Sequence, residues 1–284
     1  MSLPQPPTLT RCYRHPDREA GRRCTRCGKT ACSDCLVQAA VGSHCLDCAK
    51  AAQPDLKTRV KYASAKQPAL VTQVLIAINI AVFVWVAIDD TAAIGGGRVT
   101  ARQGELALNL RVINLTDEWY RLVTSGFLHF GILHIAINMY LLYQLGQMLE
   151  RSLGRMKFGL LYTAGLFGGA AGVLLLSSAT ERSATGGASG AVFGLMAAAA
   201  ISLHRQGINI FQTGIGMTLL INLGFTFLVP GISIGGHLGG MVAGAVCGAV
   251  MLAPKWKPVP KWARYATPVA VSLVAVAISV IRIG

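Results

Sequence analysis

The residues that could do chemistry stand inside runs that are otherwise apolar. They are His129-x4-His134-x3-Asn138, then Ser189 within Gly186-Gly187-Ala188-Ser189-Gly190, then His237. Ionisable groups at membrane depth are expensive and point to function. A serine beside a histidine base is an activated nucleophile. Glycines around Ser189 let a backbone approach closely. A helix that begins there aims free N–H groups at a developing oxyanion. Asn138 adds an amide donor, with His134 one turn away on the same face. None of the twelve acidic side chains falls inside an apolar run. The chemistry expected is therefore that of a Ser189–His237 dyad without a carboxylate. Each feature alone has a plainer explanation. A glycine-flanked serine is more often a packing motif, and a buried histidine is as often a proton relay or metal ligand. The joint occurrence favours the nucleophile. Gly236, Gly240, Gly244 and Gly248, four apart, form a close-packing helix face.

A second chemistry sits near the start of the chain. Cys12-x2-His15, Cys24-x2-Cys27, Cys32-x2-Cys35 and Cys45-x2-Cys48 make four pairs with two intervening residues. That spacing lets both side chains of a pair reach one tetrahedral Zn²⁺. Eight ligands fill two zinc sites, with His44 spare. A disulfide framework is the disfavoured alternative, because no secretory leader is read ahead of the cluster and the topology places it in the reducing cytosol. Spacing alone leaves the assignment of pairs to metals open. A segment this short cannot bury a useful core, so metal is expected to fold it. Nucleic acid is a poor fit as partner. Residues 1–68 carry 12 basic and 5 acidic side chains, and seven thiolates with two Zn²⁺ lower the resulting +7 to about +4.

The elements that must position these groups follow from composition. Of 284 residues, 53% are hydrophobic and only 13% are charged, and mean hydropathy is +0.51. An ordinary soluble domain has about a quarter of its residues charged. Seven apolar runs approach the ~20 residues that span a bilayer: 69–88, 127–149, 157–178, 188–204, 208–229, 233–253 and 265–282. Basic residues precede the first run (Lys57, Arg59, Lys61, Lys66). They also follow the second (Arg151, Arg155, Lys157), the fourth (Arg205) and the sixth (Lys255, Lys257, Lys261, Arg264), while the loops after the third and fifth offer only Arg182. The positive-inside rule then puts the N-terminus in the cytoplasm and the C-terminus outside. Runs two, four and six descend from the outer face. At about 1.5 Å per residue, Ser189 above Arg205 and His237 above Pro254 stand at matching depths.

On these motifs, residues 69–253 resemble a rhomboid intramembrane serine protease. His129-x4-His134-x3-Asn138 is similar to the family's second-helix motif, Gly187-x-Ser189-Gly190 to its nucleophile motif, and His237-x2-Gly240-x3-Gly244 to its sixth-helix motif. Phe193 takes an aromatic position that stacks on the base. Tyr120-Arg121 replaces the usual Trp-Arg of the first loop. The resemblance implies Ser189 as nucleophile, His237 as base, and Asn138, His134 and the Ser189 amide as the oxyanion site. It also implies that the fifth helix, carrying Gly214, Gly216 and Gly224, is a lateral gate. The cysteine spacing resembles a B-box-type zinc finger. That implies alternation, with Cys12, His15, Cys32 and Cys35 on one zinc and Cys24, Cys27, Cys45 and Cys48 on the other.

The fold expected is an all-α polytopic membrane protein: a rhomboid-like six-helix bundle plus one C-terminal transmembrane helix, preceded by a small zinc-binding domain. The domains read 1–50, double zinc-binding module; 51–68, basic juxtamembrane linker near anionic headgroups; 69–253, catalytic bundle; and 254–284, loop and seventh helix. The function expected is an endopeptidase of a prokaryotic cell membrane, cutting transmembrane protein substrates near the outer face. Its zinc would be structural, and catalysis would need no cofactor. A cytosolic protein is the candidate partner of the zinc module. The alternative is a non-enzymatic membrane adaptor. A transporter is disfavoured, since no internal repeat or paired broken helices are read.

Overall fold

The computed structural model describes residues 10–53, 55, 68–178, 183–254, 256 and 258–283. The chain divides into two units, Met1–Lys66 and Gln67–Gly284. Lys57, Arg59, Lys61 and Lys66 of the expected basic linker lie outside the described residues, as do Arg182, Lys255 and Lys257.

The head holds two short antiparallel ribbons, Arg22–Arg23 with Thr30–Ala31 and Leu36–Gln38 with Ser43–Cys45, followed by a helix at Leu46–Ala51. Gly28, at φ +76°, closes the first ribbon with its N–H on the Cys24 carbonyl at 2.8 Å. The apolar cluster beneath is only Cys12, Ala31, Cys32 and Cys35, with Tyr13, Leu36 and Leu46 against it. Three of its four buried members are thus cysteines rather than aliphatic core.

The body has seven long helices among the described residues. We number them 1 (Leu70–Asp89), 2 (Ile132–Leu153), 3 (Arg155–Leu176), 4 (Ser189–Arg205), 5 (Gly214–Leu228), 6 (Ile234–Met251) and 7 (Ala263–Ile283). Each expected apolar run overlaps one of them. By length and composition, helices 1, 3, 6 and 7 can each cross a membrane. Helix 2 qualifies only together with the segment Arg121–Phe127, from which it is bent by 91°. Helices 4 and 5 have 17 and 15 residues. This is an integral multi-pass membrane protein.

Two expectations change here. Helix 2 starts at Ile132 and not at 127, because Gly131 sits at φ +99° and interrupts the run. His129 therefore lies ahead of the helix. Helix 2 also continues past 149, which brings one carboxylate inside the bundle. Glu150 is 3% exposed. Its two oxygens accept from the backbone N–H of Val71 at 2.9 Å and of Thr72 at 2.8 Å, and from the Thr72 hydroxyl at 2.7 Å. It serves as the N-cap of helix 1, whose own Ala69 offers no side-chain acceptor.

Helix 6 is wedged between helices 3 and 4 by two glycine faces. A Cβ on Gly240 would stand 2.0 Å from the Gly190 carbonyl oxygen, and one on Gly244 would stand 2.0 Å from that of Gly194. On the adjacent face a Cβ on Gly235 would stand 2.2 Å from the Gly172 carbonyl oxygen, and one on Gly239 would stand 2.2 Å from that of Gly168. Only glycine allows these backbones to touch.

The long loop between helices 1 and 2 folds into short helices at Ala92–Gly95, Ala101–Leu106, Leu110–Thr116 and Arg121–Thr124. Arg121, 4% exposed, is its pin. It donates to the carbonyls of Gly104 at 2.6 Å and Ala107 at 2.8 Å, and to Glu118. Its guanidinium holds the Glu118 carboxyl below the usual range.

The Glu150 cap gives the first test. Glu150→Ala should destabilise the bundle by about 2–3 kcal/mol, since it strips a buried carboxylate from three donors. The readout is the midpoint of thermal unfolding in detergent. An unchanged midpoint would show that helix 1 does not need this cap.

Candidate active site

Ser189 is the first residue of helix 4, and the chain leading into it is held from the first loop. Leu108 and Thr185 exchange backbone hydrogen bonds at 2.8 and 2.9 Å, and the Gly187 N–H donates to the Ser125 carbonyl at 2.8 Å. Gly187 is at φ +141°, a backbone that side chains rarely adopt. A Cβ there would stand 2.9 Å from His134 Nε2 and 3.5 Å from Ser189 Oγ. The space kept open by this glycine is thus bordered by both groups.

His134 accepts the Phe130 N–H on Nδ1 at 3.3 Å. An acceptor at Nδ1 leaves the proton of the neutral ring on Nε2, so His134 presents an N–H toward the Gly187 space. The Asn138 amide donates to the His134 carbonyl at 3.0 Å, one turn back, which uses one of its two N–H groups.

His237 comes from helix 6. Its ring stacks on Phe193 of helix 4, with centroids 4.1 Å apart and planes 19° apart. Its Nδ1 lies 2.7 Å from the Thr226 hydroxyl of helix 5. Ser189, His237, Asn138, His134 and Gly187 line one cavity of about 750 Å³, which also reaches Val229 and Pro230 at the end of helix 5. Among the described residues Ser189 and His237 share that cavity without a hydrogen bond between them. Such bonds are often long before substrate binds.

The structure does not bring His129 to the cavity wall. It is 1% exposed, its ring nitrogens have no hydrogen-bond partner among the described residues, and its ring stands edge-on to His134 at 5.0 Å. Its carbonyl accepts from Gln103 Nε2 at 3.0 Å. Phe193, Gly190, Gly240 and Gly244 act through packing, as above. Gly216 does not loosen helix 5: a Cβ there would stand 2.2 Å from the Ile210 carbonyl oxygen. The sequence reading missed Thr226. A threonine in an apolar helix carries no periodic signal, and its partner lies across an irregular turn.

In the head, two ligand groups form: Cys12, His15, Cys32 and Cys35, and Cys24, Cys27, Cys45 and Cys48, each with its ligand atoms within 4.8 Å of one another. That is the alternating arrangement. His15 Nδ1 lies 3.9, 3.5 and 3.4 Å from the sulfurs of Cys12, Cys32 and Cys35, and Cys27 Sγ lies 3.6 Å from Cys45 Sγ. Zinc–sulfur bonds of about 2.3 Å give tetrahedral edges of about 3.8 Å, so the donors fit Zn²⁺. The cysteines are unbonded to one another, against a disulfide framework. The Cys48 backbone amide holds the Cys45 thiol below its ordinary range, while Cys48, hydrogen-bonded to the Cys27 and Cys45 sulfurs, is pushed up to about 12. Four sulfurs this close ionise together only around a cation.

Comparison with known proteins places the body. Residues 116–254 match the Rhomboid domain. Over 124 residues, 43% of this chain and 24% of the relative, it is 36% identical to the Rhomboid protease GluP of Bacillus subtilis. Over 129 residues it is 34% identical to Rhomboid-type serine protease 2 of Emericella nidulans, covering 43% of this chain and 25% of that one. RHOMBOID-like protein 7 of Arabidopsis thaliana is 30% identical over 134 residues, 45% of this chain and 41% of the relative. The chain thus spans about a quarter of the length of the first two. The matched segment contains Asn138, Ser189, Thr226 and His237, and with them most of the wall of the cavity that joins helices 2, 4, 5 and 6. Residues 116–254 of this chain are a rhomboid domain.

Proposed function

We propose that this protein is an intramembrane serine endopeptidase working through a Ser189–His237 dyad. The observation that carries the reading is the shared cavity. It has a serine at a helix N-terminus on one side, a stacked and hydrogen-bonded histidine on the other, and an N–H of His134 beside them. Ser189 Oγ forms a bond to the scissile carbonyl carbon while its proton passes to His237 Nε2. The carbonyl oxygen takes the electron pair and is held by the Ser189 amide, His134 Nε2–H and the free Asn138 N–H. The carbon–nitrogen bond breaks as His237 returns the proton to the leaving amine. Water then repeats the sequence on the acyl ester, releasing the acid and restoring Ser189. No metal is needed in these steps.

The substrates are transmembrane segments of other membrane proteins. Lysine and arginine counts favour a cytoplasmic N-terminus and a cut near the outer face. The head would hold two zinc ions, one by Cys12, His15, Cys32 and Cys35, the other by Cys24, Cys27, Cys45 and Cys48. They would be structural, replacing the aliphatic core that the head lacks. A cytosolic protein is its candidate partner.

Ser189→Ala and His237→Ala should each abolish cleavage of a model single-span substrate and labelling by a fluorophosphonate, with insertion intact. Cleavage that survives Ser189→Ala would sink the mechanism, and client binding without any cleavage would favour the adaptor. Asn138→Ala should lower turnover by roughly 10²-fold or less, one donor among several being lost. A lowered melting point at unchanged turnover would make Asn138 a packing residue instead. Metal analysis of purified protein should find two zinc ions per chain, and none after deletion of residues 1–50. A value near zero in the full chain would refute the metal sites.

A further inference from the structure

We infer that Thr226 is the positioning residue for His237: it fixes which ring nitrogen is the base, and it ties that choice to the seating of helix 5. The inference rests on the reading above and deepens it.

The hydrogen-bond count decides the tautomer. A threonine hydroxyl has one proton and two lone pairs. Thr226 Oγ1 lies 2.7 Å from the Asn222 carbonyl, one turn back in its own helix, and a carbonyl can only accept. The hydroxyl proton is therefore spent there. The contact of 2.7 Å with His237 Nδ1 must then run the other way, with the ring donating Nδ1–H to a Thr226 lone pair. A neutral imidazole has one N–H, so the free lone pair is on Nε2. That is the form able to take a proton from Ser189. In a carboxylate triad the acid holds the base in this tautomer. Here a neutral hydroxyl, itself anchored by a backbone carbonyl, does so without placing a charge in the membrane.

The placement of Thr226 adds a second consequence. Helix 5 is poorly buried: of its 15 residues only Gly216 and Thr226 are buried, while Leu220, Ile221, Phe225, Phe227 and Leu228 are exposed. A helix with so few buried groups is the one that moves most easily. Its single buried polar side chain is the one that holds the base. If helix 5 swings away, His237 keeps its stack on Phe193 but loses the acceptor for Nδ1–H. The ring is then free to exchange tautomers, and the base is set only while helix 5 is in place.

The test reads the ring directly. The full chain, with ¹⁵N-labelled histidine, is placed in lipid bilayers and its imidazole ¹⁵N spectrum recorded. The His237 signals are assigned by their loss in His237→Gln. His237 should be neutral with its proton on Nδ1, and Thr226→Ser should keep that spectrum. Thr226→Val, equal in shape but without an acceptor, should shift His237 toward a mixture of tautomers. In parallel, Thr226→Val should lower kcat roughly tenfold, the worth of one hydrogen bond, with KM little changed. Thr226→Ser should restore turnover. A proton found on Nε2 in the native protein would overturn the inference, and so would a Thr226→Val spectrum identical to the native one. If Thr226→Val does not fold, the native and Thr226→Ser spectra still decide. A native protein that cleaves nothing defeats the protease reading, while the tautomer result stands or falls on its own.

Discussion

The contact between the backbones of helices 4 and 6 is the constraint on which the site depends. Between membrane helices there is no hydrophobic drive, since lipid is as apolar as the side chains, and association comes from close packing. Gly190 and Gly194 on one helix meet Gly240 and Gly244 on the other, with no room for a single methyl group. Ser189 precedes the first of these contacts and His237 sits one turn before Gly240. The distance between Ser189 and His237 is thus set by how near two bare backbones can come. A second glycine face, Gly235 and Gly239 against helix 3, stops helix 6 from rotating away.

Around this contact the buried carboxylate and the buried guanidinium among the described residues are both partnered. Glu150 spends its carboxylate on the start of helix 1, and Arg121 spends its guanidinium on the carbonyls of the first loop. The loop in turn holds the segment that enters Ser189, through Leu108 and Ser125. Ser189 is therefore positioned mainly by main-chain hydrogen bonds, which tolerate changes of side chain. His237 is positioned by two side chains, Phe193 and Thr226, from two different helices.

Much of this was legible in the sequence, for a physical reason. A serine among glycines and a histidine in an apolar run are anomalies, and anomalies in a hydrocarbon setting are few. What depends on local backbone geometry was not legible. His129 reads as a helix residue until Gly131 is seen at a positive φ. Glu150 reads as lying beyond an apolar window, yet its helix continues and turns it inward. Thr226 is ordinary in composition, and only the turn between helices 5 and 6 brings it to His237. In the head, the two-residue spacing named the ligands but could not say which pairs share a centre. That follows from the fold, which brings the first pair to the third and the second to the fourth.

The shortness of helix 5 reaches beyond the protein. Fifteen residues rise only about 22 Å, against a hydrocarbon thickness of about 30 Å. The surrounding lipid must thin to meet it, or polar headgroups and solvent must follow its end inward. That end is Val229-Pro230, which forms part of the wall of the Ser189 cavity. The proposed hydrolysis would consume one water per bond at a depth where the bilayer supplies almost none. A helix too short for its membrane draws the aqueous boundary down to the place where that water would be needed.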